Sequence, residues 1–561
     1  MVEKGGLHMH TIMLSFIDWL IILIYFAAVI GIGYYLKKFM NTKEDFFEAG
    51  RRNSAWVAGI AFVSANLGAL EILGWTGGTM KYGMFVSHFY WIGAIPAMLF
   101  LGIYMMPFYY SSKIHSVPGY LLLRFDEKTR ILNAVSFAVM TILMSGINLY
   151  LMALVFYVIL GWNLDISIWI SAAVIGVYIS FGGLLSAIFT EILQFFLIWF
   201  GLFLVSVLGI VELGGLDNIM STLPERMSGL WSTAVHAGAN EMGVNWIGIA
   251  LGLGFVLSFG YWTTDFLLVQ RAFSAKDLDS ARKTPIYASF FKMALPFIVV
   301  IGGLVAWKLQ DLGQLQLLSH PVSGEAWNDT ALPVLIARYF PAGLVGLGIT
   351  ALLAGFMAGQ AGNVSAFNTV FTYDIYRTLF KKNASDAHLI LVGRITTVVS
   401  VFLSILTAYA AMRFNTIMDY IQAIFSWVNA PLFATMLLGM FWTRCTSAGA
   451  FWGLVLGMVS SFTMFVGINF GWINSAVLTF SENPSDMSNN LWRAWWAWLI
   501  CFVATIIISL FTTPKPKETL VGLVKGLTEE KIHIAQPWYK KPEFIAIVAL
   551  AVAVALNIYF W

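Results

Sequence analysis

Long apolar runs separated by short polar stretches make up nearly the whole chain, and within the runs apolar residues do not alternate in twos as they do in strands. A helix needs ~20 apolar residues to cross the hydrocarbon core of a bilayer. Runs of that size fall at 16–36, 55–79, 83–107, 133–160, 164–183, 187–212, 245–270, 285–309, 341–380, 388–411, 417–442, 447–471, 493–512 and 543–561. They predict an all-α polytopic membrane protein with about 14 transmembrane helices. Their continuity excludes a β-barrel, whose strands are ~10 residues of alternating character. The first run is long enough to span and is followed by basic residues, so it reads as a membrane helix rather than a cleavable leader. The run at 341–380 exceeds one crossing and is expected to continue past the membrane to Lys381 and Lys382.

Composition agrees. Of 561 residues, 59% are hydrophobic and 11% charged, against about 25% charged in soluble chains. A net charge of +3 gives no case for a nucleic-acid partner, and Cys445 and Cys501 make neither a disulfide framework nor a Cys-rich metal site. Sorting loops by alternate sides puts 23 of the 32 Lys and Arg on one side and 7 on the other, Lys4, Arg338, Arg413 and Arg493 among the latter. By the positive-inside rule the richer side is cytoplasmic, which places both termini outside. The longest pieces between runs, 213–244, 310–340, 472–492 and 513–542, are connectors rather than soluble domains. Trp492, Trp495, Trp496 and Trp498 read as an interfacial aromatic belt, and His88 and His115 as interfacial histidines.

Charge inside the runs is scarce and therefore informative, since each such group costs ~2.5–3.5 kcal/mol at a helix centre. Asp18, Asp374, Arg394 and Asp419 lie near run ends, where snorkelling or helix capping accounts for them. Glu71, Glu191 and Lys292 lie deep, and Asp265 lies in the last third of its run. For these four, a role in solute or ion handling stands beside a structural ion pair. Two runs carry helix-weakening glycines: Gly68, Gly74, Gly77 and Gly78 in the second, Gly252, Gly254 and Gly260 in the seventh. Close helix packing through small residues is the alternative reading. The two runs are five apart, and broken helices at matching positions of two halves point to a midplane binding site of a transporter.

Six local sequences carry a resemblance. They are Gly50-Arg51-Arg52 leading into Ser64-Ala65-Asn66; Gly182-Gly183-Leu184 followed by Ala187, Glu191 and Gln194; Tyr261-Trp262 followed by Gln270-Arg271, Ala275-Lys276 and Ala281; Phe371-Thr372 with Asp374-Ile375-Tyr376; Tyr420-Ile421-Gln422; and Gly439-Met440-Phe441-Trp442. In this order, from about Phe16 to Gly457, the chain resembles the solute:sodium symporters and looks nearest to their bacterial sodium/sugar members. The resemblance implies a leucine-transporter-type fold of ten core helices in a five-plus-five inverted repeat, with one helix before and three after. The divisions would be 1–54 (leading helix and basic loop), 55–212 (first repeat), 213–244 (external loop), 245–442 (second repeat) and 443–561 (three accessory helices).

The resemblance also implies a site. Asn66, Tyr261 beside Trp262, Lys292 and Gln422 match the family's solute pocket, whereas Glu71 stands where a Gln is usual and Tyr90 where a Glu is usual. The acid has thus moved from the second core helix to the first. Carbonyl positions of the family's sodium site fall on Ser64, Leu67 and Gly355, and its two hydroxyl positions on Ala358 and Gly359, which have no ligand oxygen. Gln360, Asn363 and Ser365 are the residues that could compensate, Glu191 holds the family's acidic ion-path position, and Asp265 adds an acid beside the pocket helix.

Asn and Gln amides, a Lys donor, a Glu acceptor and aromatic rings suit a polyhydroxylated ligand. The expected function is a secondary active transporter that imports a small polar organic solute, sugar or polyol, with Na⁺ as coupling ion and no other cofactor. H⁺-coupled or uncoupled transport of an amino acid or a cationic or zwitterionic metabolite stays open beside it. The expected setting is the plasma membrane, bacterial inner membrane in type, with solute and bilayer as partners and no obligate protein partner. No HExxH-type pair, Ser/His pair at suitable depth or Asp pair supports an intramembrane enzyme.

Overall fold

The computed structural model describes residues 13–37, 51–181, 184–320, 323–412, 416–527 and 536–561. Gly50, Gly182 and Gly183 of the motifs, and Lys4 and Arg413 of the charge count, lie outside the described residues. Among those described there is no strand, only two isolated bridges.

The long helices are α1 (Phe16–Lys37), α2 (Ala55–Asn66), α3 (Ala69–Tyr82), α4 (Phe89–Ser111), α5 (Val117–Arg124), α6 (Glu127–Leu160), α7 (Leu164–Phe181) and α8 (Leu184–Glu212). They continue with α9 (Gly248–Thr264), α10 (Phe266–Phe273), α11 (Leu278–Asp311), α12 (Leu344–Leu379), α13 (Asp386–Ala411), α14 (Ile417–Phe441), α15 (Ser447–Asn469), α16 (Asp486–Leu510) and α17 (Pro542–Tyr559). Among the described residues, 11 helices are long and apolar enough to cross a membrane, or 13 when each of two bent pairs counts as one span. The run at 164–183 forms α7, whose described apolar part, Leu164–Gly176, is shorter.

Lipid-facing surfaces are legible as exposed apolar stripes at helical spacing, such as Leu391, Ile395, Val398 and Phe402 on α13. Helix starts are fixed by side-chain caps: Ser54, Ser116, Asp126, Asp277, Ser385 and Ser485 each accept a backbone N–H of the first turn. Asp18 of α1 caps another helix start, accepting the Gly343 and Gly346 N–H groups at 2.8 and 2.6 Å.

The loops sort into two ends. At one, Asn53 exchanges backbone hydrogen bonds with Ser274 and Lys276, Tyr110 donates to the Ala275 carbonyl, Arg124 to those of Gly439 and Trp442, and the Lys525 N–H to Met440. Apart from Gly439, Met440 and Trp442, which end α14, these residues belong to the basic loops. At the other, Arg338 pairs with Glu212, Ser485 donates to the Met242 carbonyl, and the Trp561 carbonyl accepts from Trp231 and Ser232.

Two expectations change. Trp492 and Trp498 are buried, Trp492 against Phe480 and Trp498 against Phe255 and Phe502, so the tryptophan cluster is interhelical packing more than a belt. His88 is buried as well, its Nε2 3.0 Å from the Leu230 carbonyl, because the 213–244 segment folds back over it.

Candidate functional site

Two helix breaks frame the site. The pair α2 and α3 bends by 57°, and the pair α9 and α10 by 51°. At the first, Gly68 is extended and its N–H donates to the Asn66 carbonyl at 2.8 Å. A β-carbon at Gly68 would stand 3.1 Å from Asn148 Oδ1 and 3.4 Å from the Gly359 Cα, so the turn is held tightly between α6 and α12. Asn148 of α6 then accepts the Leu70 N–H, a free donor of the new helix start, and donates to the Phe356 carbonyl. The second break is not at the glycines. It falls at Asp265, which is extended and caps α10 by accepting the Leu267 N–H at 2.9 Å. Gly252 and Gly260 serve close packing instead: β-carbons there would lie 2.6 Å from the Leu491 carbonyl oxygen and 2.9 Å from that of Asn429.

Between the breaks lies a narrow cavity of about 60 Å³. Asn66, Glu71, Tyr90, Tyr261, Trp262, Lys292 and Gln422 all line it, drawn from α2, α3, α4, α9, α11 and α14. Lys292 Nζ lies 2.6 Å from Glu71 Oε1 and also donates to Asn66 Oδ1. Tyr90 donates its hydroxyl to the same Glu71 oxygen at 2.7 Å, and Asn66 Nδ2 donates to the Tyr261 hydroxyl at 2.9 Å. The ammonium also sits 5.0 Å from the ring centres of Tyr90 and of Trp262. Tyr261 stacks on Phe425 at 4.6 Å. The Gln422 amide makes no hydrogen bond to any described residue while lining the cavity. Charge inside therefore cancels within one pair, and the rest of the wall is amide, hydroxyl, ring and the aliphatic side chains of Leu70, Leu253, Leu257, Met418 and Ile421.

The Tyr90 hydroxyl and the Lys292 ammonium thus meet on one Glu71 oxygen, so the lysine has a carboxylate partner that comes from α3. Sequence reasoning missed the apolar wall of Trp75, Phe89 and Phe425. Buried aromatics at helical spacing look the same in any core.

A separate, wider cavity of about 680 Å³ is lined by Lys81, Asp419, Tyr420 and Arg493 among others. Lys81 pairs with Asp419 at 2.8 Å, Tyr82 donates to the same carboxylate, and Asn490 donates to the Asp419 carbonyl. Asp419 is thus part of a polar cluster that lines this wider cavity rather than a simple helix cap.

Glu191 and Asp265 do not line the narrow cavity. Glu191 of α8 forms an ion pair with Arg271 of α10, at 2.5 Å to Nη2 and 3.4 Å to Nε, and both side chains are fully buried. The sequence does not reveal that α10 turns Arg271 back into the protein.

The residues carried over from the sodium site meet where the first break lies on α12. β-carbons at Gly355 and Gly359 would stand 2.9 Å from the Leu67 carbonyl oxygen and 2.8 Å from the Gly68 Cα. Ser64, Leu67 and Gly355 supply carbonyls, and Ser64 Oγ is buried with no hydrogen-bond partner. Ala358 and Gly359 supply no side-chain oxygen, and the backbone contact at Gly359 leaves no room for one. Gln360 is committed to Ser145 and Asn148, and Ser365 to Gln270. This set fits a cation that needs several oxygens poorly.

Comparison with known proteins completes the description. Residues 46–457 match the sequence profile described as the sodium:solute symporter family. The chain is 29% identical over 459 residues to a sodium/glucose cotransporter of Vibrio parahaemolyticus, covering 79% of this chain and 84% of the relative. It is 28% identical over 553 residues to sodium/glucose cotransporter 4 of Danio rerio, covering 93% and 83%. Among solved structures, that of a Na⁺-coupled sialic acid symporter superposes with a TM-score of 0.73 at 20% identity, covering 89% of this chain and 98% of that one, a likeness of fold.

Proposed function

The chain belongs to the sodium:solute symporter family, and from that premise we propose that it imports a small polar organic solute, sugar or polyol, by alternating access. It is a multi-pass integral membrane transporter and not an enzyme. The observation that carries the solute reading is the narrow cavity between two broken helices. Its one carboxylate and one ammonium neutralise each other, Gln422 has hydrogen-bonding capacity to spare, and aromatic faces wall it. A neutral polyhydroxylated ligand suits such a wall better than an ion does. The basic loops gathered at one end support the further reading that this end is cytoplasmic and both termini are outside, with 14 helices crossing as a five-plus-five repeat (55–212 and 245–442) flanked by one helix and three.

Counterflow uptake of labelled sugars and polyols into proteoliposomes tests the solute. Uptake of at least one compound is expected, and none across a full panel would refute the sugar reading.

The family favours Na⁺ as the coupling ion. A second reading, H⁺-coupled or uncoupled transport, is favoured by Ala358 and Gly359 and by the direct contact of Gly68 with Gly359. Accumulation against a gradient separates them. A sodium gradient alone concentrates solute in the first case. A proton gradient, or nothing, does so in the second.

A further inference from the structure

At the basic end lies a third cavity, about 440 Å³, that the transport reading does not use. It opens where three helices end: the 112–116 loop after α4, the first turn of α6, and the last turn of α12 with the residues that follow. Lys113, Arg130, Arg377 and Lys382 line it, against the carboxylates of Glu127 and Asp374. Among the described residues none of the four cations lies within ion-pair distance of a carboxylate, while Asp374, which has Arg130 and His115 acting on it through space, already accepts the Ser116 hydroxyl at 2.5 Å. The positive-inside rule puts cations at this end, but it does not gather an excess of them around one cavity. Arg130 is held in place by donating to Thr378 Oγ1, while its Nε is buried with no hydrogen-bond partner. A buried guanidinium nitrogen left without an acceptor is costly unless something fills the role. Lys113 is held with φ at 49°, a left-handed conformation that a non-glycine residue keeps only where its surroundings impose it.

We infer that this cavity is a binding site for a phosphate group, free or esterified, that ties the ends of α4, α6 and α12 together. Two guanidiniums match phosphate oxygens as paired forks, and the two lysines add point charges around them. The volume suits a phosphate ester or diphosphate rather than a monatomic anion. Because the site joins separate helix ends, occupancy resists their parting and so slows opening toward the basic side. The inference rests on the transport reading only in calling that side cytoplasmic.

The test is thermal unfolding of the purified full-length protein at constant ionic strength. One arm adds pyrophosphate. The other places the protein in nanodiscs of phosphatidylcholine with or without phosphatidylglycerol. Saturable stabilisation is expected in at least one arm: by pyrophosphate if the source is a soluble phosphorylated compound, by phosphatidylglycerol if it is a lipid headgroup. In Arg130→Gln the half-saturating concentration should rise at least about tenfold, as for loss of one charge-assisted hydrogen bond. Arg377→Gln and Lys382→Gln alter exposed side chains, so they should fold and also weaken the response, whereas Lys540→Gln should not. No response in either arm, or an equal response in Arg377→Gln and Lys382→Gln, overturns the site. The readout needs no transport, so failure here leaves the transport reading intact, and failure of the transport reading leaves the site intact.

Discussion

Two buried ion pairs cross this protein, and they differ in what else their charges touch. Lys292 with Glu71 joins α11 to α3, and Arg271 with Glu191 joins α10 to α8. Both are nearly or wholly removed from solvent, at 2.6 and 2.5 Å. The lysine is a single point donor shared between Glu71 and Asn66, and it faces the cavity. Its partners can be exchanged one at a time for groups of a solute. The arginine fork is filled from every side: Glu191 on two nitrogens, the Leu267 carbonyl and Gln270 Oε1 on the third. Gly362 packs over it, where a β-carbon would lie 3.4 Å from Nη2. A charge pair that lines a cavity can recognise a ligand, whereas one sealed on all sides fixes the angle between helices. The sequence offered Glu191 as an ion-path residue, yet in the structure its charge is already matched.

The sharpest way to break this contrast is to remove one member of the sealed pair. Arg271→Met leaves Glu191 buried without a partner, a cost of about 3–5 kcal/mol, so the variant should lose most of its folded yield. Replacing both, Arg271→Met with Glu191→Leu, should recover stability to near the parent, since an apolar pair of similar volume is often neutral. Surviving monodisperse protein after graded heating measures both. A tolerated single variant, or a double variant as weak as the single, would show that the pair is not architectural.

The cavity pair should respond in the opposite sense. Lys292→Ala removes charge-assisted hydrogen bonds worth roughly 1.5–3 kcal/mol from a wall that water can reach, so folding should suffer less than in Arg271→Met. Solute exchange should fall by about one to two orders of magnitude, since each 1.4 kcal/mol is about tenfold. Glu71→Gln keeps an acceptor for Lys292 and Tyr90 and should lose less. Counterflow rate beside melting temperature gives the two readouts. If Lys292→Ala unfolds the protein as Arg271→Met does, the contrast between the pairs fails.

How much of this was legible beforehand depended on whether a residue's meaning was local. Charged groups inside apolar runs stand out in one dimension, as Glu71 and Lys292 do, whereas Asn66 and Gln422 came from the resemblance; all four meet in one cavity. The first break was legible because Gly68 follows Asn66 within an apolar run. The second was misplaced because glycine has two uses, and Gly252 and Gly260 serve packing while Asp265 makes the break. The roles of Arg271, Arg493 and Asn148 are not legible in the sequence because their partners come from distant helices. Arg493 had been counted in an outer loop, yet it is buried and bonded to Ser426 and Asn490. No periodicity in the chain encodes such pairings.

Asp329 supplies the smallest effect and a control for both pairs, being a buried carboxylate with no cation in bonding reach. It lies outside the spans, in a short turn that docks on α3 where Gly77 leaves space, and its oxygens have no partner at ordinary hydrogen-bond geometry among the described residues, the Ile417 amide acting on them only weakly. The nearby Lys81 is committed to Asp419. Burial pushes the Asp329 carboxyl up to about 7, Asp419 adds to the rise, and Lys81 and the Ile417 amide offset only part of it. When the turn undocks, the carboxyl should return to its ordinary value of about 3.9. Between about pH 4 and 7 the docked form therefore holds a proton that the undocked form has released, so docking weakens as pH rises through that window and is flat outside it. In Asp329→Asn the slope should vanish. Melting temperatures at pH 5.5 and 8 check this: the parent should lose a few degrees more than the variant across the interval. A parent that instead gains stability with rising pH would mean that Asp329 is ionised and paired after all, and the three carboxylates would then differ only in which cation each has found.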